Sequence, residues 1–223
     1  MTIGEPALKR WTYAEYLAFE EASPEKHELC EGVVLPLLVA MAGGTAAHAD
    51  LSAQVLISLG RPLRGRPGRV YTSDLRVIVE QTSLATYPDV SVICGPIRPA
   101  DLDSRAATNP TVLVEVLSPS TEAFDRGEKF AHYRQIPTLR DYVLVSSQRR
   151  AIEVFRRDEQ GRWILSSAGP GERVSVESLG VDLVVDEIYE GVVLAPPTPR
   201  LYAERVEPLW GTFTETPGAR IEP

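Results

Sequence analysis

The positions with the most chemical potential are carboxylates placed among apolar neighbours. Glu115 lies inside the run Thr111 to Leu117, TVLVEVL, bounded by Pro110 and Pro119. An unbroken β-branched and aliphatic run describes a strand buried on both faces. Stripping an ionised carboxylate of its water in such a place costs on the order of several kcal/mol unless a partner compensates. Glu115 is therefore either half of a buried ion pair or the holder of something functional. Asp89 follows Pro88 at the head of DVSVICG, and Asp74 opens DLRVIVE. If these three strands are neighbours, Asp74, Asp89 and Glu115 converge at one place. Magnesium takes one or two protein carboxylates and keeps waters for the rest. Such an ion, or manganese in its place, activates water and neutralises charge developing on a phosphate. The bland alternatives are a strand-start aspartate after proline for Asp89 and a turn-capping residue for Asp74.

Elements able to position these groups are legible along the chain. TYAEYLAFEEA predicts a short helix with Thr12 as its N-cap. HELCEGVVLPLLVAM predicts two short strands turning at Glu31-Gly32, and TAAHADLSAQVLISLGRPL a helix ending at Gly60 with Leu51, Val55, Ile57 and Leu59 on its apolar side. The runs around Asp74, Asp89 and Glu115 predict three strands. STEAFDRGEKFAHYRQI predicts a helix capped by Ser120 or Thr121 and stopped before Pro137, with Phe130 and Tyr133 in the core. RDYVLVSS predicts a strand, AIEVFRRD and GRWILSSA a hairpin turning at DEQG, and VDEIYEGV a short closing helix. The pattern suggests an α/β or α+β fold with a mixed central sheet flanked by helices.

Composition sets the outer bounds. The 223 residues are 43% hydrophobic and 24% charged, which suits one domain with a sizeable core. Residues 1–194 are expected to form that domain, and the proline-rich 195–223 a tail. Cys30 and Cys94 are too few and too far apart for a disulfide framework, and with three histidines and no C-x-x-C a structural zinc site is not expected. The start MTIGEPALKRW lacks the apolar core of a signal peptide, and no apolar run is long enough to span a bilayer, so a soluble cytoplasmic protein without a membrane partner is expected. The net charge of −8 argues against a general nucleic-acid binder. Charge is uneven, however: arginines cluster in GRPLRGRPGR and again in SSQRR and FRRDEQGR.

YPDV followed by LVEVLSPSTEAFDRGEKFAHYRQIP resembles the Uma-type family, a domain of unknown function in the restriction-endonuclease-like superfamily with its PD-(D/E)XK pattern. The resemblance spans roughly Trp11 to Leu194 and is densest from Tyr87 to Tyr142. Pro88 and Asp89 match the first half of the pattern, and Glu115 the acidic residue of the second. Leu117 stands where the lysine should be. Side chains alternate along a strand, so Leu117 shares the face of Glu115 but cannot reach a metal-bound water. In the Uma-type pattern a lysine of the following helix is a migrated substitute, and Lys129 occupies that place, four residues after Asp125. The resemblance implies a metal-dependent endonuclease acting as a homodimer on DNA, with Asp89, Glu115 and Lys129 catalytic and magnesium or manganese as cofactor. Metal ligands would be Asp89 and Glu115, with Asp74 a further candidate. Glu28 of HELCEGVV and His48 of AAHADL match auxiliary positions of the family.

Two other classes compete. Leu117 and the acidic balance suit a catalytically inactive nucleic-acid-binding or regulatory module that keeps the nuclease fold. A protein–protein interaction domain is the third reading. Lys129 itself has an ordinary explanation, an exposed Asp125–Lys129 pair contributing about 0.3–0.5 kcal/mol.

Overall fold

The computed structural model describes residues 9–37 and 46–194; residues 195–223, expected to form a tail, and part of the run after Pro36 lie outside them. Helix α1 (Tyr13–Ala22) starts where expected. Thr12 accepts from the Glu15 N–H while the Glu15 carboxylate reaches back to the Thr12 N–H, a reciprocal cap that satisfies two donors no helix turn can reach. Strands β1 (His27–Cys30) and β2 (Val33–Pro36) form the expected hairpin. Its turn needs two residues with positive φ, supplied by Glu31 at 49° and Gly32 at 77°. Helix α2 (Ala46–Gly60) buries Ala47, Leu51, Val55 and Leu59, four residues apart. Ile57 is a correction: its position puts it on the opposite side of the helix, half exposed.

Strands β3 (Gly68–Thr72), β4 (Arg76–Val79), β5 (Leu84–Thr86), β6 (Val90–Cys94), β7 (Pro99–Ala100), β8 (Asp103–Ala107) and β9 (Val112–Leu117) follow. The next helix, α3, begins as Glu122–Phe124, widens into a π turn over Asp125–Lys129 and ends as Phe130–Tyr133. Its start is held by Ser118 Oγ, which reaches the hydroxyls of Ser120 and Thr121 at 3.0 Å each, while Thr121 makes no side-chain cap bond of its own. Strands β10 (Asp141–Ser146), β11 (Ile152–Arg157) and β12 (Trp163–Ala168), a hairpin of β13 (Arg173–Val176) and β14 (Val181–Val184), and the short helix α4 (Val185–Ile188) complete the described chain.

The strands form two six-stranded mixed sheets and the small β13–β14 hairpin. One sheet runs β12-β11-β10-β9-β6-β3, the other β2-β1-β5-β4-β8-β7. Within the first, β9 and β10 are parallel and are joined through α3, the crossover that parallel strands require. Both faces of these two strands are covered. Val112, Val114, Val116, Val143 and Val145 pack on the side of α2 and α4. Leu113, Leu117, Tyr142 and Leu144 pack with Tyr133 of α3 and with Val77, Val79 and Leu84 of the second sheet. Complete burial of each such side chain contributes about 1.5–3 kcal/mol. The unbroken apolar run is thus explained: one set of alternate residues faces each layer.

The second sheet overturns one expectation. Strand β4 belongs to it, hydrogen-bonded to β5 and β8, and is not a neighbour of β6 or β9. The three carboxylate-bearing runs therefore do not lie side by side.

Candidate active site

Glu115 faces α3 from the middle of β9 and is nearly sealed from solvent. The Tyr133 hydroxyl donates to its Oε1 at 2.8 Å, and Lys129 Nζ lies 3.2 Å from the same oxygen. Lys129 also lies 3.4 Å from Asp125 Oδ1 and 3.5 Å from Glu28 Oε1. It is 6% exposed, so the surface-pair reading of Asp125 and Lys129 does not describe it. The π turn widens α3 where both residues enter the site and leaves Gly127 and Glu128 in solvent. π turns recur at such sites.

Glu28 arrives from the β1–β2 hairpin. Thr86 Oγ1 donates to its Oε1, and the Tyr87 N–H to the same oxygen at 3.4 Å. The pairing of β1 with β5 sets Leu29 opposite Ala85 and so brings Glu28 beside Thr86. Asp89 precedes β6, whose register with β9 sets Val90 opposite Val114; one further step sets Asp89 alongside Glu115. Its Oδ2 accepts the Val116 N–H at 2.7 Å and lies 3.3 Å from His48 Nε2 at the start of α2. Asp89 and His48 stay partly open, with side chains 19% and 21% exposed. A cleft of about 520 Å³ joins Glu28, His48, Asp89, Glu115, Asp125 and Lys129.

Charge in this group is unbalanced. Burial, with the nearby carboxylates of Asp125, Asp89 and Glu28, pushes the Glu115 carboxyl well above the usual range against the opposing pull of Lys129. Burial likewise raises Asp125. Burial acts to lower Lys129, but Glu115, Glu28 and Asp125 outweigh it and keep the ammonium charged well past its ordinary range. Burial also acts to lower His48, yet its hydrogen bond to Asp89 holds it above the ordinary histidine value. One lysine thus answers for three carboxylates, with Asp89 a fourth nearby. The surplus is relieved either by a proton on Glu115 or by a cation in the cleft.

Asp74 stands apart from these. It is largely exposed in the turn before β4, paired with Lys26 at 2.5 Å, and does not line the cleft. The reason is the second sheet, which carries β4 away from β6 and β9. Sequence reasoning gave no role to Thr86 and Tyr87, although they directly precede Pro88, and read Tyr133 as core only, although it follows Lys129 by one helical turn. Leu117 is 2% exposed and packs among Tyr133, Tyr142 and Leu144; a lysine there would be buried in apolar surroundings.

Fold and cleft together define a mixed α+β protein with a carboxylate-lined cleft. The chain shares its fold with the crystal structure of "a putative nuclease belonging to DUF820" from Anabaena variabilis ATCC 29413, with a TM-score of 0.63 over 82% of this chain and 99% of that one at 17% identity. More specifically, it belongs to the Uma2 family, described as "Putative restriction endonuclease", which matches residues 13–186. The uncharacterized protein slr1290 of Synechocystis sp. is 38% identical over 179 residues, 80% of this chain and 90% of its own length. A second uncharacterized protein of that organism, sll1609, is 33% identical over 166 residues, 74% of this chain and 91% of its own length.

Proposed function

We propose that this chain is a metal-dependent endonuclease that hydrolyses DNA phosphodiesters, with Asp89 and Glu115 holding the ion and Lys129 as the migrated lysine. The observation that carries the proposal is the Glu115–Lys129 contact of 3.2 Å on the floor of the cleft, with Asp89 alongside. Hard carboxylate oxygens suit magnesium or manganese, and the surplus negative charge gives a divalent cation electrostatic reason to bind. Among the described residues no group of three or more His, Cys, Asp or Glu side chains is placed to hold a metal ion, so the proposal rests on the Asp89–Glu115 pair with water completing the shell. When bound, the cation would supply an activated water and neutralise charge on the phosphate.

The chain's own groups have separable tasks. Tyr133 and Lys129 together fix the orientation of the Glu115 carboxyl through its Oε1. Lys129 offers a permanent positive charge where the pentavalent phosphate develops negative charge. Asp89 accepts from His48 at 3.3 Å and raises its affinity for a proton, placing a second donor in the cleft. A thiol nucleophile is the weaker alternative. Cys30 lies 3.8 Å from His132 Nε2, but burial pushes its thiol up to about 11, so it stays protonated near neutral pH.

The inactive-module reading rests on Leu117. Calorimetric titration of magnesium and manganese into the wild type and Glu115→Gln, followed by plasmid nicking, separates the two. Binding and nicking by the wild type alone support the nuclease. Identical titrations with no nicking from either protein would return Glu115 to a structural role.

A further inference from the structure

The arginine cluster of GRPLRGRPGR was left without a role by the site. In the fold it follows the C-terminal end of α2 and runs into β3, an edge strand of its sheet. Here Leu56, Ile57, Arg61, Arg64, Arg66 and Arg69 border a groove of about 870 Å³ that no acidic residue lines. Leu56 and Ile57 also line the site cleft, so groove and cleft meet along α2. From Leu51 to Ser73 the chain carries four arginines and no Asp or Glu, although the whole protein has a net charge of −8.

The two arginine clusters differ in how they are neutralised. In the second cluster Arg149 meets Glu153 at 3.4 Å, Arg150 meets Asp186 at 3.7 Å, Arg156 meets Glu177 at 2.6 Å and Arg162 meets Asp158 at 2.7 Å, while Arg157 donates to the Ile136 carbonyl at 3.4 Å. In the first, Arg66 donates to the Leu179 carbonyl at 2.6 Å, while Arg61, Arg64 and Arg69 are exposed and form no ion pair among the described residues. Neutralising the α2 C-terminus would need one cation, and guarding an edge strand another. Three unpaired guanidinium groups around one groove exceed both needs.

We propose that this groove is a track for a nucleic-acid backbone, with Arg61, Arg64 and Arg69 contacting phosphates and α2 guiding the strand towards the site cleft. Guanidinium groups bind phosphate bidentately, and the ligand chemistry is a run of phosphodiesters. The dimension fits: His48 to Arg61 spans about 20 Å of helix, close to six phosphate spacings of one strand at about 3.4 Å each. The apolar Leu56 and Ile57 lie between, where bases or sugars would pass. An acidic protein could in this way hold a polyanion on one face only. The inference rests on the nuclease reading for the fate of the strand, but not for its binding.

The test is fluorescence anisotropy with the full chain in EDTA, using labelled duplex DNA, single-stranded DNA and RNA of one sequence. Proteins compared are the wild type, the triple variant Arg61→Gln/Arg64→Gln/Arg69→Gln, and Arg156→Gln as the paired-arginine control, each checked by circular dichroism. The triple variant should bind about tenfold more weakly or worse, and its slope of log affinity against log salt should fall by about one per arginine removed. Arg156→Gln should bind as the wild type does. Preference among the three probes then names the source of the phosphates. A triple variant that binds like the wild type, or a wild type that binds none of the probes at low salt, overturns the groove. Arginine-dependent binding by a protein that neither binds magnesium nor nicks plasmid leaves the groove standing and removes the nuclease.

Discussion

At the scale of single residues, the site is a problem of charge in a place with little water. Among the described residues Lys129 is the only lysine or arginine ion-paired with Glu115, Glu28 and Asp125. Removing one partner of a buried pair leaves uncompensated charge, which costs about 3–5 kcal/mol. Lys129→Ala should therefore lower unfolding stability by about that amount in urea titration, well beyond what an exposed pair could lose; an unchanged midpoint would return Lys129 to the surface. Glu115→Gln differs, because its amide oxygen still accepts from Tyr133. It should keep the wild-type fold by circular dichroism and lose plasmid nicking, and retained nicking would remove Glu115 from the chemistry.

At the scale of elements, short segments bring distant residues to the cleft. The β1–β2 hairpin carries Glu28, and its turn depends on Gly32 at φ 77°, where an added Cβ would come within 3.1 Å of Arg10 Cδ. Gly32→Ala should thus lower stability by about 1 kcal/mol or more, readable as a lower unfolding midpoint. Gly127 in the π turn of α3 is the opposite case. It is exposed, and an added Cβ there meets nothing within 4 Å. Gly127→Ala should raise stability by about 0.5–1 kcal/mol by restricting the unfolded chain, with site activity unaltered. A loss instead would mean that the π turn needs glycine's freedom.

At the scale of the whole molecule, one buried carboxylate outside the site gives stability a pH dependence. Asp141 heads β10, fully buried; its Oδ2 accepts the Ser178 N–H at 3.2 Å, and its Oδ1 has no hydrogen-bond partner among the described residues. Burial pushes its carboxyl above the ordinary 3.8, so the folded state favours the protonated form. That contribution is complete below pH 3.8 and is lost as pH rises through the folded value. Asp141→Asn removes the titration. Its Tm should exceed that of the wild type at pH 7, with the gain shrinking as the pH falls towards about 4. A constant difference across that range would assign the effect to packing.

The sequence by itself determined many of the local elements and pointed to the residues proposed for the site. Alternation, capping and turn chemistry act within a few residues, so α1, the Glu31-Gly32 turn, α2 and the β9–α3–β10 unit were all legible, and the candidates Asp89, Glu115 and Lys129 do meet in one cleft. What the tertiary structure alone decided is which strands share a sheet. A four-residue apolar strand such as β4 reads the same in either sheet, because pairing depends on contacts far along the chain; its placement beside β5 and β8 set Asp74 apart from the cleft, while the pairing of β1 with β5 brought Glu28 in. Burial was decided at the same level. Asp125 and Lys129 have the spacing of a solvated helix pair, and only the packing of α3 between β9 and the second sheet turned that pair into a sealed charge cluster.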